Sequence, residues 1–147
     1  DVNRLKNRMP AVGMNIACCL ETARSTAEVA AFPGKITIVD GKIRHHETPQ
    51  FGASKHLANM LIDSRVYDKS KTAILNVQPG AEKEKIETIC EDLDLNLTFA
   101  PKGDLIPHQG IDVILDEGAF GWEPSLYILA HNPLELVDRM HRIISLL

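Results

Sequence analysis

The sequence predicts an α/β domain built on a mixed sheet, and three observations carry that expectation. Short apolar runs suited to strands alternate irregularly with stretches of helical periodicity. Asp40-Gly41 joins two β-rich runs as a tight hairpin, which a purely parallel sheet would not contain. With 147 residues and 44% hydrophobic content, the chain is long enough to bury one core.

In chain order, Val2, Leu5 and Met9 recur at helical spacing until Pro10 ends the run. VGMNIACCL (12–20) is apolar except for Asn15 and reads as a strand buried on both faces. Ser25-Thr-Ala-Glu28 has the form of a capping box and predicts a short helix to about Ala31. Phe32-Pro33-Gly34 breaks it, and KITIV and KIRHH flank Asp40-Gly41 as the hairpin. From Ser54 a helix is predicted, with Leu57, Met60, Leu61 and Val66 on one face. TAILNV (72–77) reads as a strand, Pro79-Gly80 as a turn, and 81–93 as a helix burying Ile86, Ile89, Cys90 and Leu93. Strands follow at 95–100, 112–118 and 125–130. Asn132-Pro133 then pairs an N-cap with proline at the first helical position, opening a helix with Leu134, Val137, Met140, Ile144 and Leu147 on one stripe.

The net charge of −4 argues against this domain coating a nucleic-acid backbone by itself, though a few local cations suffice for a small anion. No apolar run approaches a membrane span, and the first residues do not resemble a signal peptide. Three cysteines without C-x-x-C spacing make neither a disulfide framework nor a zinc knuckle, so reduced thiols and a cytoplasmic setting are expected. The expected organisation is a single domain, 1–147, forming the C-terminal part of a longer chain.

FGASKH (51–56) places a glycine, a cap and two polar residues ahead of an amphipathic run. With Ser54 as N-cap, the next peptide N–H groups are open and the helix dipole favours an anion there. Gly52 lets backbone approach a ligand closely, while Lys55 and His56 add a cation and a titratable donor. A plain capped helix with two solvated polar residues fits the same letters. Arg24 before a helix start is either a surface arginine or a fork for phosphate oxygens. Lys35 at the hairpin mouth is either solvated or ligand-facing. Asn15 either ties a sheet edge or reads a polar ligand edge, since a buried amide must find partners. His45 and His46 are consecutive on a strand and face opposite ways, which disfavours a shared metal. Asp116-Glu117-Gly118 and Gly121-Trp122-Glu123-Pro124 offer carboxylates beside glycines, for Mg²⁺, for a ligand amine, or for solvent in an ordinary turn. Trp122 either stacks on a flat heterocycle or packs over that turn. Walker, G-x-G-x-x-G, G-x-S-x-G and H-E-x-x-H patterns are lacking from the sequence.

Taken in order, VGMNIA, ARS-x-x-x-VAAFPGKI, PQFGASKHLA, a strand with Asn76, and DVILDEGAFGWEP resemble the archaeal-type thiamine-phosphate synthase domain, ThiN. The resemblance runs over nearly the whole chain. It implies a three-layer α/β/α fold with a mixed, largely antiparallel sheet, of the kind shared with class II aldolases. It also implies a reaction, joining hydroxymethylpyrimidine diphosphate and hydroxyethylthiazole phosphate to give thiamine monophosphate and pyrophosphate. By the resemblance, His56 and Lys35 are the expected catalytic residues. Asn15, Arg24, Gly52, Ala53, Ser54, Lys55, Asn76, Asp116, Gly118, Gly121 and Glu123 are expected to bind substrate, with Mg²⁺ assisting an enzyme and no metal ligand set assigned.

Expected partners are the phosphorylated pyrimidine and thiazole, or thiamine phosphate itself, with a homodimer left open. A kinase domain upstream would accompany a synthase. A helix-turn-helix upstream would accompany the alternative, a catalytically silent sensor of thiamine phosphates. Lysine at position 35, where arginine is expected, Trp122 in place of a lysine, and a short Phe99–Ile111 segment all fit the sensor. The retained FGASKH with His56 fits the synthase.

Overall fold

The structure, a computed structural model, describes residues 2–101 and 110–147, so the shortened segment expected after Phe99 lies largely outside the described residues. α1 (Val2–Lys6) ends in a turn before Pro10, and β1 (Ile16–Cys18) begins only after Gly13 turns the chain at φ 86°. The long strand expected at 12–20 is therefore three residues, since residues 10–13 close a turn through Gly13 N–H to Pro10 carbonyl and Val12 points to solvent.

A 3₁₀ turn at Thr26–Glu28 and β2 (Ala30–Ala31) replace the helix expected to Ala31. The Glu28 carboxylate accepts from the Arg24 and Ser25 N–H groups as a capping residue should. Ala30 and Ala31 nevertheless leave the helix, because β1 on one side and β5 (Gln50–Phe51) on the other offer them ladder partners. Between them, β3 (Ile36–Val39) and β4 (Lys42–His45) form the predicted hairpin as a separate two-stranded sheet, with Asp40 and Gly41 both at positive φ. α2 (Lys55–Arg65) starts at Ser54, whose hydroxyl accepts from the Leu57 N–H. β6 (Ala73–Val77), α3 (Lys83–Asp92), β7 (Leu97–Phe99), β8 (Val113–Asp116), β9 (Ser125–Ala130) and α4 (Pro133–Leu146) complete the chain. Asn132 caps α4 through the Glu135 N–H, as its pairing with Pro133 predicts.

The main sheet has the order β5-β2-β1-β6-β9-β8-β7. Only β7 and β8 run parallel among these pairs, so the sheet is mixed and largely antiparallel. Alternation along the strands divides the core in two. Ala17, Ile74, Ile114, Tyr127 and Leu129 face α2, meeting Leu57, Met60 and Leu61. Leu75, Val77, Val113, Leu115, Leu126 and Ile128 face α3 and α4. The result is three layers, α/β/α, and β9 is buried at every residue because it has neighbours on both edges and helices on both faces. The stripe of α4 is Leu136, Met140, Ile143 and Ile144, which keeps Met140 and Ile144 of the expected set with Leu147 packed beside them; Leu134 and Val137 fall on the outer face and are exposed, as is Val66 beyond α2. No helix among the described residues is long and apolar enough to cross a membrane.

Candidate functional site

The C-terminal ends of β6 and β8, the N-terminal ends of β1 and β9, and the N-terminus of α2 converge at one end of the sheet, on its α2 face. They enclose a cavity of about 320 Å³ whose lining includes Asn15, Lys35, Ser54, His56, Asn76, Gly121, Trp122, Glu123, Ser125 and Tyr127. That volume is at the lower end for small-molecule sites.

Asn15 is buried, and its side chain is largely committed to backbone. The Oδ1 atom accepts from the Ile16 and Phe32 N–H groups, at 2.9 and 3.0 Å, and Nδ2 donates to the Phe32 carbonyl at 2.9 Å. This residue ties the sheet edge, the first of its two expected roles, while still lining the cavity. Asn76 is its partner, accepting the Asn15 N–H on Oδ1 at 2.8 Å.

Lys35 projects from the end of the Phe32-Pro33-Gly34 turn with φ 65°, and its ammonium donates to the Val12 carbonyl at 3.0 Å. His56, in the first turn of α2, places Nε2 2.7 Å from the Tyr127 hydroxyl. His56 lines the cavity and is partly open to solvent, while Tyr127 and Trp122 meet its ring edge-on at centroid distances of 5.5 and 6.1 Å. Burial against these neighbours lowers the His56 pKa; Asp116 opposes that shift and Lys35 adds to it. Neutral imidazole is therefore the state at pH 7. Tyr127 moves up instead, chiefly through burial, with Asp116 contributing.

Asp116 is fully buried behind the cavity wall. Its Oδ2 accepts from the Trp122 indole N–H at 2.7 Å and its Oδ1 from the Gly118 N–H at 2.9 Å. Trp122 thus packs over the turn, the second of its two expected roles, and also lines the cavity. Glu123 accepts from the Ala11 N–H and the Gln78 amide at 2.9 and 2.8 Å. Burial alone would raise its pKa, but these bonds, one from Val12 and the charge of Lys35 lower it.

Gly118 turns at φ 76°, and a β-carbon there would lie 2.6 Å from the Trp122 carbonyl oxygen. Gly118→Ala is expected to displace this turn and lower unfolding free energy by about 1–3 kcal/mol. Urea denaturation followed through the single tryptophan checks this; a change of a few tenths would show that the turn accommodates the methyl.

Not every expected residue reaches the cavity. Arg24 lies with Ile62, Arg65 and Lys69 around a separate hollow beside the C-terminal end of α2. Most of the 11-residue helix separates that end from His56, about 14 Å at 1.5 Å per residue. Lys55 and Gly52 are exposed and outside the cavity lining, and Ala53 packs against the α2-side core. Asp116 and Gly118 act from behind, through Trp122. Tyr127 and Ser125 were missed because SLYILA reads as a core strand; a tyrosine in an otherwise apolar strand is the signal, since its hydroxyl must find a partner. The consecutive His45 and His46 gather no further donors, and no group of three or more metal-type side chains occurs among the described residues. All three cysteines are free, and burial, with Cys19 alongside, pushes the Cys18 thiol up to about 11, leaving it inert as a nucleophile at pH 7.

The profile of the family described as thiamine-phosphate synthase ThiN matches residues 2–142. A protein described as thiamine-phosphate synthase ThiN, from Methanothermobacter thermautotrophicus, is 26% identical over 151 aligned residues, covering 88% of this chain and 78% of that protein. Among solved structures, the C-terminal domain of a phosphomethylpyrimidine kinase superposes with a TM-score of 0.80 at 21% identity, covering 93% of this chain and 88% of that one. The C-terminal domain of protein MJ0236 gives 0.78 at 22%, covering 99% and 90%. These two likenesses establish the fold.

Proposed function

This chain belongs to the thiamine-phosphate synthase ThiN family, and from that premise we propose that its cavity joins hydroxymethylpyrimidine diphosphate to hydroxyethylthiazole phosphate. The observation that carries the reading is one shared cavity for His56, Lys35 and the capped N-terminus of α2. The methylene–oxygen bond to diphosphate breaks, leaving a cation that the aminopyrimidine stabilises, and the thiazole nitrogen adds to it. The products are thiamine monophosphate and pyrophosphate. The protein's contribution is to hold two phosphorylated partners in line and stabilise charge on the departing group.

In this reading, the Lys35 ammonium and the open peptide N–H groups of Lys55 and His56 face phosphate oxygens. His56 donates a hydrogen bond from a neutral ring, and Trp122 walls the heterocycle. Among the described residues, a resident Mg²⁺ does not fit the two carboxylates expected at the site, Asp116 and Glu123. Asp116 is enclosed and already accepts on both oxygens, and Glu123 is drawn toward Ala11 and Gln78. Magnesium accordingly belongs in the assay as the companion of the diphosphate substrate.

One observation favours the second reading, a binding domain that senses thiamine phosphates without turnover. Among the described residues, Lys35 alone is a cation lining the cavity, since Arg24 and Lys55 lie outside it. The test is incubation of folded protein with both substrates and Mg²⁺, following pyrophosphate release, alongside calorimetry with thiamine monophosphate. Turnover establishes the synthase. Tight binding without turnover sinks it in favour of the sensor, and absence of both overturns the cavity assignment.

A further inference from the structure

We propose that Tyr127 is a positioning residue of this cavity, holding His56 through Nε2 so that Nδ1 is the ring nitrogen presented to a ligand's phosphate. The proposal rests on the reading that the cavity takes a thiamine phosphate or its precursors.

Tyr127 is well placed for the task. It lies in β9, opposite Asn76 of β6 and Ile114 of β8, and is 3% exposed, so its ring has little freedom. Ser125, two residues earlier in β9, lies on the same face and lines the same cavity. His56 lacks such confinement of its own, standing in the first turn of a helix, partly open to solvent. Its orientation therefore depends on what it touches. The 2.7 Å contact uses Nε2. The edge-on tryptophan restrains the other side, and that indole is itself held by its bond to Asp116.

Among the described residues, Nδ1 of this ring has no hydrogen-bond partner. It stands in the same helical turn as the Lys55 and His56 N–H groups, which likewise have no acceptor among the described residues. An oxygen-rich anion at the start of α2 would meet all three. A histidine free to rotate would present either nitrogen and would lose rotamer freedom on binding. Tyr127 removes that cost in the unliganded protein. This also gives the Asp116–Trp122 bond a purpose distinct from ligation, as the support behind the support.

The experiment is long-range nitrogen–proton NMR on histidine-labelled protein titrated with thiamine monophosphate, with His56→Gln identifying the ring signals. In the native protein, the Nδ1 resonance should move with ligand while Nε2 holds still. Tyr127→Phe deletes only the hydroxyl, so thermal unfolding should stay near native. Both ring nitrogens should then respond, and affinity should fall about three- to tenfold. Unchanged His56 signals and affinity in Tyr127→Phe would overturn the proposal, as would a ligand response at Nε2 in the native protein. If Tyr127→Phe alters the His56 signals but thiamine monophosphate perturbs neither nitrogen, the cavity reading fails. The ligand-facing role of Nδ1 fails with it, whereas the first two outcomes spare the cavity reading.

Discussion

Replacing Asp112 by alanine is expected to cost about 3–5 kcal/mol of unfolding free energy, the range for removing one partner of a buried ion pair. Asp112 is buried just before β8, at the end of the sheet opposite the cavity, where its Oδ1 receives both the Lys71 ammonium and the Arg139 guanidinium. Its Oδ2 accepts the Asn96 N–H at 3.0 Å. Arg139 continues to the Leu129 carbonyl and to Glu135, tying α4 to β9. The Lys71 side chain is only 3% exposed, so without Asp112 it becomes a buried charge lacking its carboxylate.

For a domain whose whole stability is typically about 5–15 kcal/mol, that loss is a large share. Adding Lys71→Met to the variant should restore part of it, because the stranded charge is then gone. Urea unfolding of the three proteins measures both effects, and a loss under about 1 kcal/mol would show the pair to be solvated.

The same carboxylate sets an acid limit on the fold. Burial by itself would raise the Asp112 pKa; hydrogen bonds from Lys71 and Asn96 and the charges of Lys71 and Arg139 outweigh it and lower the value. The folded protein thus holds this proton less tightly than the unfolded chain. Its stabilisation is complete above the unfolded value of about 3.9 and is lost as pH falls from there through the lowered folded value. Asp112→Ala should therefore lose less additional stability between neutral and strongly acid pH than the native protein does.

None of this network is visible as a pattern in the letters. Lys71, Asp112 and Arg139 are separated by 41 and 27 residues. Their meeting follows from the order in which β6, β8, β9 and α4 stack. What could be read was local chemistry: Ser54 and Asn132 as caps, Asp40-Gly41 as a hairpin, and the alternation that gives each strand two faces. Ala30-Ala31 shows the limit, because alanine favours helix while ladder partners on both sides decide for strand. Arg24 shows it again. Beside a helix start it reads either as a surface arginine or as a phosphate fork, and chain direction carries it to the far end of α2, away from the cavity. The cavity's own residues were legible where a glycine turn or a cap marked them, as at Lys35, Ser54, His56 and Gly121. Tyr127 was hidden in a strand whose other residues are core.

His56→Ala should reduce pyrophosphate release by about 10²–10³-fold, the loss seen when one donor to developing charge is removed. The fold should be spared, since the partly exposed imidazole contributes little to the core. If the domain binds without turnover, the same variant should instead weaken thiamine monophosphate by about ten- to a hundredfold, the worth of a hydrogen bond to a charged group. The pH profile separates a neutral donor from an imidazolium acid. With its pKa lowered mainly by burial, His56 stays neutral from pH 7 to 8, and release should be flat across that range. An imidazolium acid would make release rise steadily toward lower pH.

The stability sign agrees with the neutral state. The unfolded histidine protonates near pH 6.5, roughly its ordinary value, whereas the folded one resists. The contribution of neutral His56 is therefore full above that value and declines as pH falls, a slope that His56→Ala should remove. Side-chain shape gives the sharper test. An asparagine amide reaches about as far as Nδ1 and a glutamine amide about as far as Nε2. If Nδ1 meets the phosphate, His56→Asn should recover part of the lost release or binding and His56→Gln should recover less. The reverse order would place Nε2 at the ligand and set Tyr127 in competition with it.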